Sequence, residues 1–317
     1  MATGYGATPM TLTSPAVLDV ERVEVALSGP LDLTRTCARF VQGYRDPCNR
    51  VVGDEVWRAT RTPEGPATLR LRVTAGHLEA QAWGQGSAWA LGAAAATAGL
   101  LDPVESFDPP PGPVRRLNRR APGLRIPATG RLLEILVPTV IAQKVTGQEA
   151  FSAWRRLVRL LSGPAPGPGG LLLPPAPEDL AMLPAYRYHP LGMERRRAET
   201  VRRVAARAGW LEGALRLPLA EMYGRVTSIP GVGWWTAAES LSVAAGDADA
   251  VQVGDFHLPN QVAWNLAGEP RGDDARMIDL LDPYRGHRQR VIRLVETVGA
   301  RPPAFGPRHR IRSIAEM

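Results

Sequence analysis

Between Ile229 and Asp255 the chain reads Ile-Pro-Gly-Val-Gly-Trp-Trp-Thr-Ala-Ala-Glu, continues through a small-residue apolar stretch, and resumes as Val-Gln-Val-Gly-Asp-Phe-His. Gly231 and Gly233, one residue apart, demand a tight turn. Leu217, Leu219, Met222, Tyr223 and Val226 precede that turn, and Ala237, Ala238, Leu241 and Val243 follow it, at spacings that fit a helix on each side. The stretch is therefore a helix, a glycine hairpin and a second helix. Glycines let a backbone approach a ligand closely, and the N–H groups of Val232, Gly233 and Trp234 fall at the N-terminus of the second helix, where the helix dipole favours an anion. Asp255, 22 residues beyond Gly233, is placed between an apolar run and a helix-like segment near His257. A carboxylate there sits at the mouth of a helix beside whatever the hairpin holds; an N-capping aspartate in a purely structural turn is the plainer alternative.

The rest of the composition is that of a globular protein. A length of 317 residues accommodates two or three lobes, and no apolar run approaches the ~20 residues needed to cross a bilayer. The N-terminus lacks a basic-then-apolar secretion pattern, so a cytoplasmic protein with no membrane contact is expected. Cys37 and Cys48 are the only cysteines and are read as free thiols; with five histidines at scattered positions they show no metal-ligand spacing. Net charge is +7 with a pI near 10.1, and 37 of the 38 basic residues are arginine, Lys144 being the exception. That balance favours a polyanionic partner.

Three regions emerge along the chain. Residues 1–16 are a Thr-, Gly-, Pro- and Ser-rich tail. Residues 17–112 read as a small antiparallel α+β domain: strand-like Leu18 to Leu27, a helix capped by Asp32, strands at Val51–Val52, Val56–Thr60, Leu69–Val73 and Leu78–Trp83, and a helix from Ser87 to Leu101. The proline-rich Asp108–Pro113 marks a boundary. From 113 to 317 the periodicity is helical, over Leu132–Val145, Phe151–Leu161, Leu180–Leu183, Ala198–Ala208, Leu219–Thr227 and Thr236–Ala245. Gly163–Pro177 interrupts it and reads as a surface loop.

The hairpin with its spaced aspartate resembles the signature of the helix-hairpin-helix base-excision DNA glycosylases, and the order of a sheet domain ahead of two helical lobes is similar to the DNA-3-methyladenine glycosylase II branch. The resemblance is firm from about Arg131 to Arg293. It implies an α+β fold: an N-terminal antiparallel sheet domain, then a mainly α-helical domain of two lobes around a cleft. It also implies that duplex DNA carrying damaged bases is the partner, that the chain acts as a monomer, and that Asp255 is catalytic.

The position before Thr236-Ala237 carries a Schiff-base lysine in relatives that also cut the backbone. Here it is Trp235, which implies hydrolysis of the N-glycosidic bond without strand cleavage. Trp235 suits a wall of the base pocket, where its face would attract a flat cationic base, or ordinary core packing. Trp234 is a pocket and DNA-contact candidate, as Gly231, Val232, Gly233 and Thr236 are for the phosphate backbone. Glu239, one turn beyond Trp235, either lines the pocket or pairs with one of the many arginines outside it. Tyr284, in Pro-Tyr-Arg-Gly-His-Arg, either closes the pocket or packs.

Gln143 and Lys144 lie in Ile-Ala-Gln-Lys-Val-Thr, similar to the family stretch that enters the minor groove; the relative's apolar wedge is replaced by Lys144, whose stem can fill a vacated stack or remain solvated. His257 reads as a helix-start residue. Arg195–Arg197 and Arg308–Arg312 are either DNA contacts or solvated faces. The resemblance further implies that a monovalent cation can bridge the hairpin carbonyls and a phosphate; no other cofactor and no metal-ligand set is expected. Two other functions stay open: excision of deaminated bases such as hypoxanthine or uracil, for which Glu239 leaves room, and a non-catalytic damage-binding module.

Overall fold

The computed structural model describes residues 21–303. Residues 1–16, Leu18, Val20 and Arg308–Arg312 lie outside them. The strands β1 (Glu21–Ala26), β2 (Asn49–Val52), β3 (Glu55–Thr62), β4 (Gly65–Thr74) and β5 (His77–Trp83) form one antiparallel sheet in the order β1-β5-β4-β3-β2. The period-two pattern explains the pairing: Leu78, Ala80 and Ala82 of β5 are fully buried, while Glu79 and Gln81 between them are not. Ala75 and Gly76 join β4 to β5, both with positive φ, as the tight hairpin turn requires. Asp32 caps the helix Leu33–Cys37 by accepting from the Arg35 amide at 3.1 Å, and Cys37 and Cys48 are free and buried.

Two of the expected elements differ in kind, beyond shifts in helix ends. Ser87–Leu101 is not one helix but two short ones, Ser87–Gly92 and Ala94–Thr97. Alanine and glycine supply few anchoring side chains there, and Gly99, at φ +78, ends the run. Gly163–Pro177 is not a free surface loop. It folds back through a Pro164–Leu172 bridge, buries Leu171 and Leu173, and is fastened by Leu172 N–H to Pro47 O (2.8 Å) and Arg61 Nε to Pro174 O (2.7 Å). Its glycines have a steric cause: a Cβ on Gly167 would lie 2.6 Å from the Trp83 ring, and one on Gly169 2.9 Å from Trp57. Those two indoles stack at 5.5 Å, so the strap covers them.

The helix Leu132–Ile141 is apolar nearly all round and is buried along its length. Its one charge, Glu134, is met by Arg58 at 2.5 Å, Thr60 Oγ1 at 2.9 Å and the Arg61 amide at 2.8 Å, all from β3. This helix packs against Arg195–Ala205 and Trp234–Ala244, and one apolar core runs from the sheet through these helices without a break at residue 112. A second core holds Pro113–Arg120, Leu258–Ala267, Asp274–Leu281 and Arg288–Val298. Two lobes result, and the chain crosses between them three times, between Ala98 and Phe107, between Leu124 and Leu132, and at Ala250–Val251.

Candidate active site

The hairpin forms as its glycines dictate. The helix Leu219–Thr227 ends at Ser228, the turn runs through Ile229–Gly233, and the second helix, Trp234–Ala244, begins two residues before the apolar pattern suggests. Gly231 is at φ +95, and a Cβ there would meet Thr200 Oγ1 at 2.2 Å. Gly233 has an extended backbone with open space where a Cβ would project. We expect Gly231→Ala to destabilise the fold by about 2 kcal/mol or more from αL strain and overlap. Gly233→Ala should cost no more than about 1 kcal/mol yet weaken binding to duplex DNA, because its open side is where a phosphate would approach. Urea titration paired with a DNA-affinity measurement separates the two.

Not all three expected amides are available. Val232 N–H donates within the turn to Ile229 O at 2.9 Å, and the Val232 side chain is buried, leaving Gly233 and Trp234 N–H at the helix start. Gln143 Nε2 donates to Gly231 O at 3.0 Å and to Thr236 Oγ1 at 2.8 Å. Thr236 is buried, so it braces the hairpin from beneath. Gln143 thereby ties the hairpin to the turn that carries Lys144. Lys144 is exposed and in the left-handed region at φ +56, an unusual conformation for a residue with a side chain. The helix Leu132–Ile141 stops short of this turn, and the next, Gly147–Leu161, starts early through a Thr146/Glu149 capping box. Arg197, buried, donates to Ile141 O at 2.8 Å and closes the end of the first of these, while Arg195 pairs with Glu199 on the surface.

Asp255 is drawn into the same centre. Its Oδ1 accepts from the amides of His257 (2.8 Å) and Leu258 (2.9 Å), capping Leu258–Ala267, and its Oδ2 accepts from Trp235 Nε1 at 2.9 Å. The carboxylate is thus oriented by one helix end and by an indole from the other lobe. Trp235 lines a cleft of about 470 Å³, together with Glu239, Pro138, Phe151, Arg293 and Arg39 among others. Glu239 lines the cleft and is ion-paired there with Arg39, which lines it too, rather than with an arginine outside it. Arg39 comes from the 3₁₀ turn Ala38–Phe40 of the sheet domain. Burial works against its charge, but Glu239 first and then Glu296 and Asp255 hold its pKa above the ordinary arginine value.

Other candidates lie elsewhere. Trp234 faces outward, half exposed, stacked on Tyr223 at 4.7 Å with Nε1 donating to Val251 O at 3.1 Å. Tyr284 packs on the second core and is not among the residues that line the cleft. Exposed His257 meets Phe256 edge-on at 4.8 Å. Among the described residues no cluster of His, Cys, Asp and Glu is arranged to hold a metal ion, and no helix is long and apolar enough to cross a membrane. Sequence reading missed Arg39, Arg293 and Phe151 as cleft residues. Phe151 carried helical periodicity only, and nothing local distinguishes Arg39 from 36 other arginines.

No family model matches the sequence. Over 148 residues the chain is 31% identical to a probable bifunctional transcriptional activator/DNA repair enzyme AlkA of Mycobacterium tuberculosis. That alignment covers 46% of this chain and 29% of the relative, so the chain spans under a third of the curated relative it matches. The 3-methyladenine DNA glycosylase from Archaeoglobus fulgidus superimposes with a TM-score of 0.74 at 18% identity, covering 86% of this chain and 97% of that one. The Clostridium acetobutylicum 8-oxoguanine glycosylase/lyase, solved with double-stranded DNA containing cytosine opposite 8-oxoguanine, gives 0.66 at 12% identity, covering 88% and 96%. The fold is that of the helix-hairpin-helix DNA glycosylases. Within them the chain resembles the DNA-3-methyladenine glycosylase II type, in sequence through the AlkA relative and in its sheet domain followed by helical lobes.

Proposed function

We propose that the chain is a monofunctional DNA N-glycosylase that flips alkylated bases, such as 3-methyladenine, out of duplex DNA and hydrolyses their N-glycosidic bond, leaving an abasic site. The observation that carries this reading is the Asp255 carboxylate, anchored by two amides and bonded to the indole of Trp235, which in turn lines a cleft large enough for a base and follows directly on the hairpin. A base alkylated on nitrogen is already cationic and leaves without a general acid, so the remaining demand is on the sugar. A carboxylate about 4 Å from the developing oxocarbenium contributes on the order of 4 kcal/mol at an effective dielectric near 20. Asp255 Oδ2 also keeps a lone pair with which to orient the attacking water.

The hairpin anchors one phosphate through Gly233 and Trp234, and Lys144 enters or flanks the space the base vacates. Trp235 stands where a Schiff-base amine would be needed, which supports hydrolysis without lyase chemistry. A monovalent cation at the hairpin would share the Ile229 and Gly231 carbonyls with the Val232 amide and Gln143; each oxygen has a second lone pair for it.

The test is to incubate the protein with methylated duplex DNA and identify released bases by mass spectrometry. Release of 3-methyladenine or 7-methylguanine is expected, with strands that break only after alkali. Strand breakage without alkali would refute the monofunctional assignment. No free base from that DNA, nor from hypoxanthine or uracil duplexes, would leave a binding module.

A further inference from the structure

We infer that Arg39 and Glu239 together set the charge selectivity of the base cleft, the guanidinium of the N-terminal domain cancelling the carboxylate of the second hairpin helix so that neutral as well as cationic bases are accepted. The inference rests on the reading of this cleft as an excision pocket. The pair spans 200 positions of sequence and lies on the wall, Glu239 one turn along from Trp235 and on the same face. Neither side chain is solvent-screened, at 14% and 22% exposure.

The other charges lining the cleft are matched in the same way. Arg293 is bonded to Glu296 at 2.8 Å on the last helix, and Arg35, at the rim, reaches Asp32 at 3.3 Å. Every charged wall residue thus has a partner of opposite sign, and removing one member of a pair uncovers a whole charge in a place where water does little to dilute it. Without Arg39, Glu239 would keep only the more distant influence of Arg293, itself bonded to Glu296, and the surplus negative charge would draw in an N-alkylated purine cation and do nothing for a neutral base. A bare Arg39 would repel the cation, yet it could still donate hydrogen bonds to the lone pairs of a neutral purine. The sheet domain is thereby given a part in choosing the lesion, through one residue delivered by a single 3₁₀ turn.

Kinetics on two duplexes test this, one carrying 7-methylguanine, cationic in DNA, and one carrying hypoxanthine, which is neutral. The native protein should excise both. The ratio of kcat/KM, cation over neutral, should rise about tenfold in Arg39→Gln and fall about tenfold in Glu239→Gln. The exchanged variant carrying Arg39→Glu with Glu239→Arg should return it towards the native value, which also answers the case of a single variant that folds poorly. Equal changes on both lesions in either single variant would make the pair a structural tie and overturn the inference. Excision of 7-methylguanine with hypoxanthine left intact by the native protein would overturn it too, while the excision reading survived. Failure on both lesions would defeat that reading itself.

Discussion

Asp255→Asn is expected to lower base excision by about three powers of ten while leaving the fold intact. Asparagine keeps an oxygen to accept from the His257 and Leu258 amides, and it is as good a helix cap as aspartate, so the start of Leu258–Ala267 should survive with less than about 1 kcal/mol lost. What disappears is the negative charge and one acceptor, since an amide nitrogen turned toward Trp235 Nε1 faces another donor. The measurement is single-turnover release of 7-methylguanine at saturating protein, beside a urea titration and the affinity for duplex containing an abasic site. Activity within about threefold of native would reduce Asp255 to a cap. Asp255→Ala provides the contrast: it should lose the same activity and, in addition, about 1 kcal/mol of stability from the missing cap.

The parts of this site legible in the sequence are those held by local geometry. The tight turn could be read from the Gly231/Gly233 pair, although only Gly231 takes the positive φ that a side chain resists, and the Leu219–Thr227 and Trp234–Ala244 helices follow from the spacing of their apolar residues, the second to within two residues of its start. The strands followed from alternation, and the turn at Ala75-Gly76 from its glycine. Asp255 could be singled out by its distance from the hairpin. Its bond to Trp235 could not, because it depends on how the two lobes meet.

What sequence missed arises from tertiary contact or from a competing local bond. The Val232 amide looked available until the turn claimed it for Ile229. Trp234 and Trp235 are neighbours of the same type, yet the 100° step of a helix sends one onto Tyr223 outside and the other into the cleft. The Gly163–Pro177 strap has the composition of a loop, and only the Trp57 and Trp83 rings beneath it explain why its glycines are needed. The start of Gly147–Leu161 was in fact written in the Thr146-x-x-Glu149 capping box, a signal that apolar periodicity alone passes over.

The second large effect concerns how the two lobes are held in register. Asp102, in the segment after the helix Ala94–Thr97, accepts from Arg290 Nη1 at 2.7 Å and Nη2 at 2.5 Å and from the Ile126 amide at 2.9 Å; the two charged side chains are 1% and 3% exposed. Arg290 belongs to the helix Arg288–Val298 of the second lobe and also lies over the Phe107 ring at 5.4 Å. Asp102→Ala would strand a buried guanidinium and the Ile126 amide together, and a loss of about 3–5 kcal/mol is expected in urea unfolding. Replacing both partners by apolar residues, Asp102→Leu with Arg290→Met, should recover most of that loss, because the cost lies in the uncompensated charge more than in the missing bond.

The consequence reaches the site. Trp235 stands on the helix Trp234–Ala244, whose apolar residues belong to the first core, and Asp255 caps Leu258–Ala267, whose apolar residues belong to the second, so their 2.9 Å bond reports the register of the lobes. A shift of about 1 Å at a reacting group can cost on the order of a hundredfold in rate. The apolar double variant should therefore regain stability without regaining all of its excision rate. A variant that recovers both would show that the cores alone align Asp255, and that the buried pair contributes only to stability.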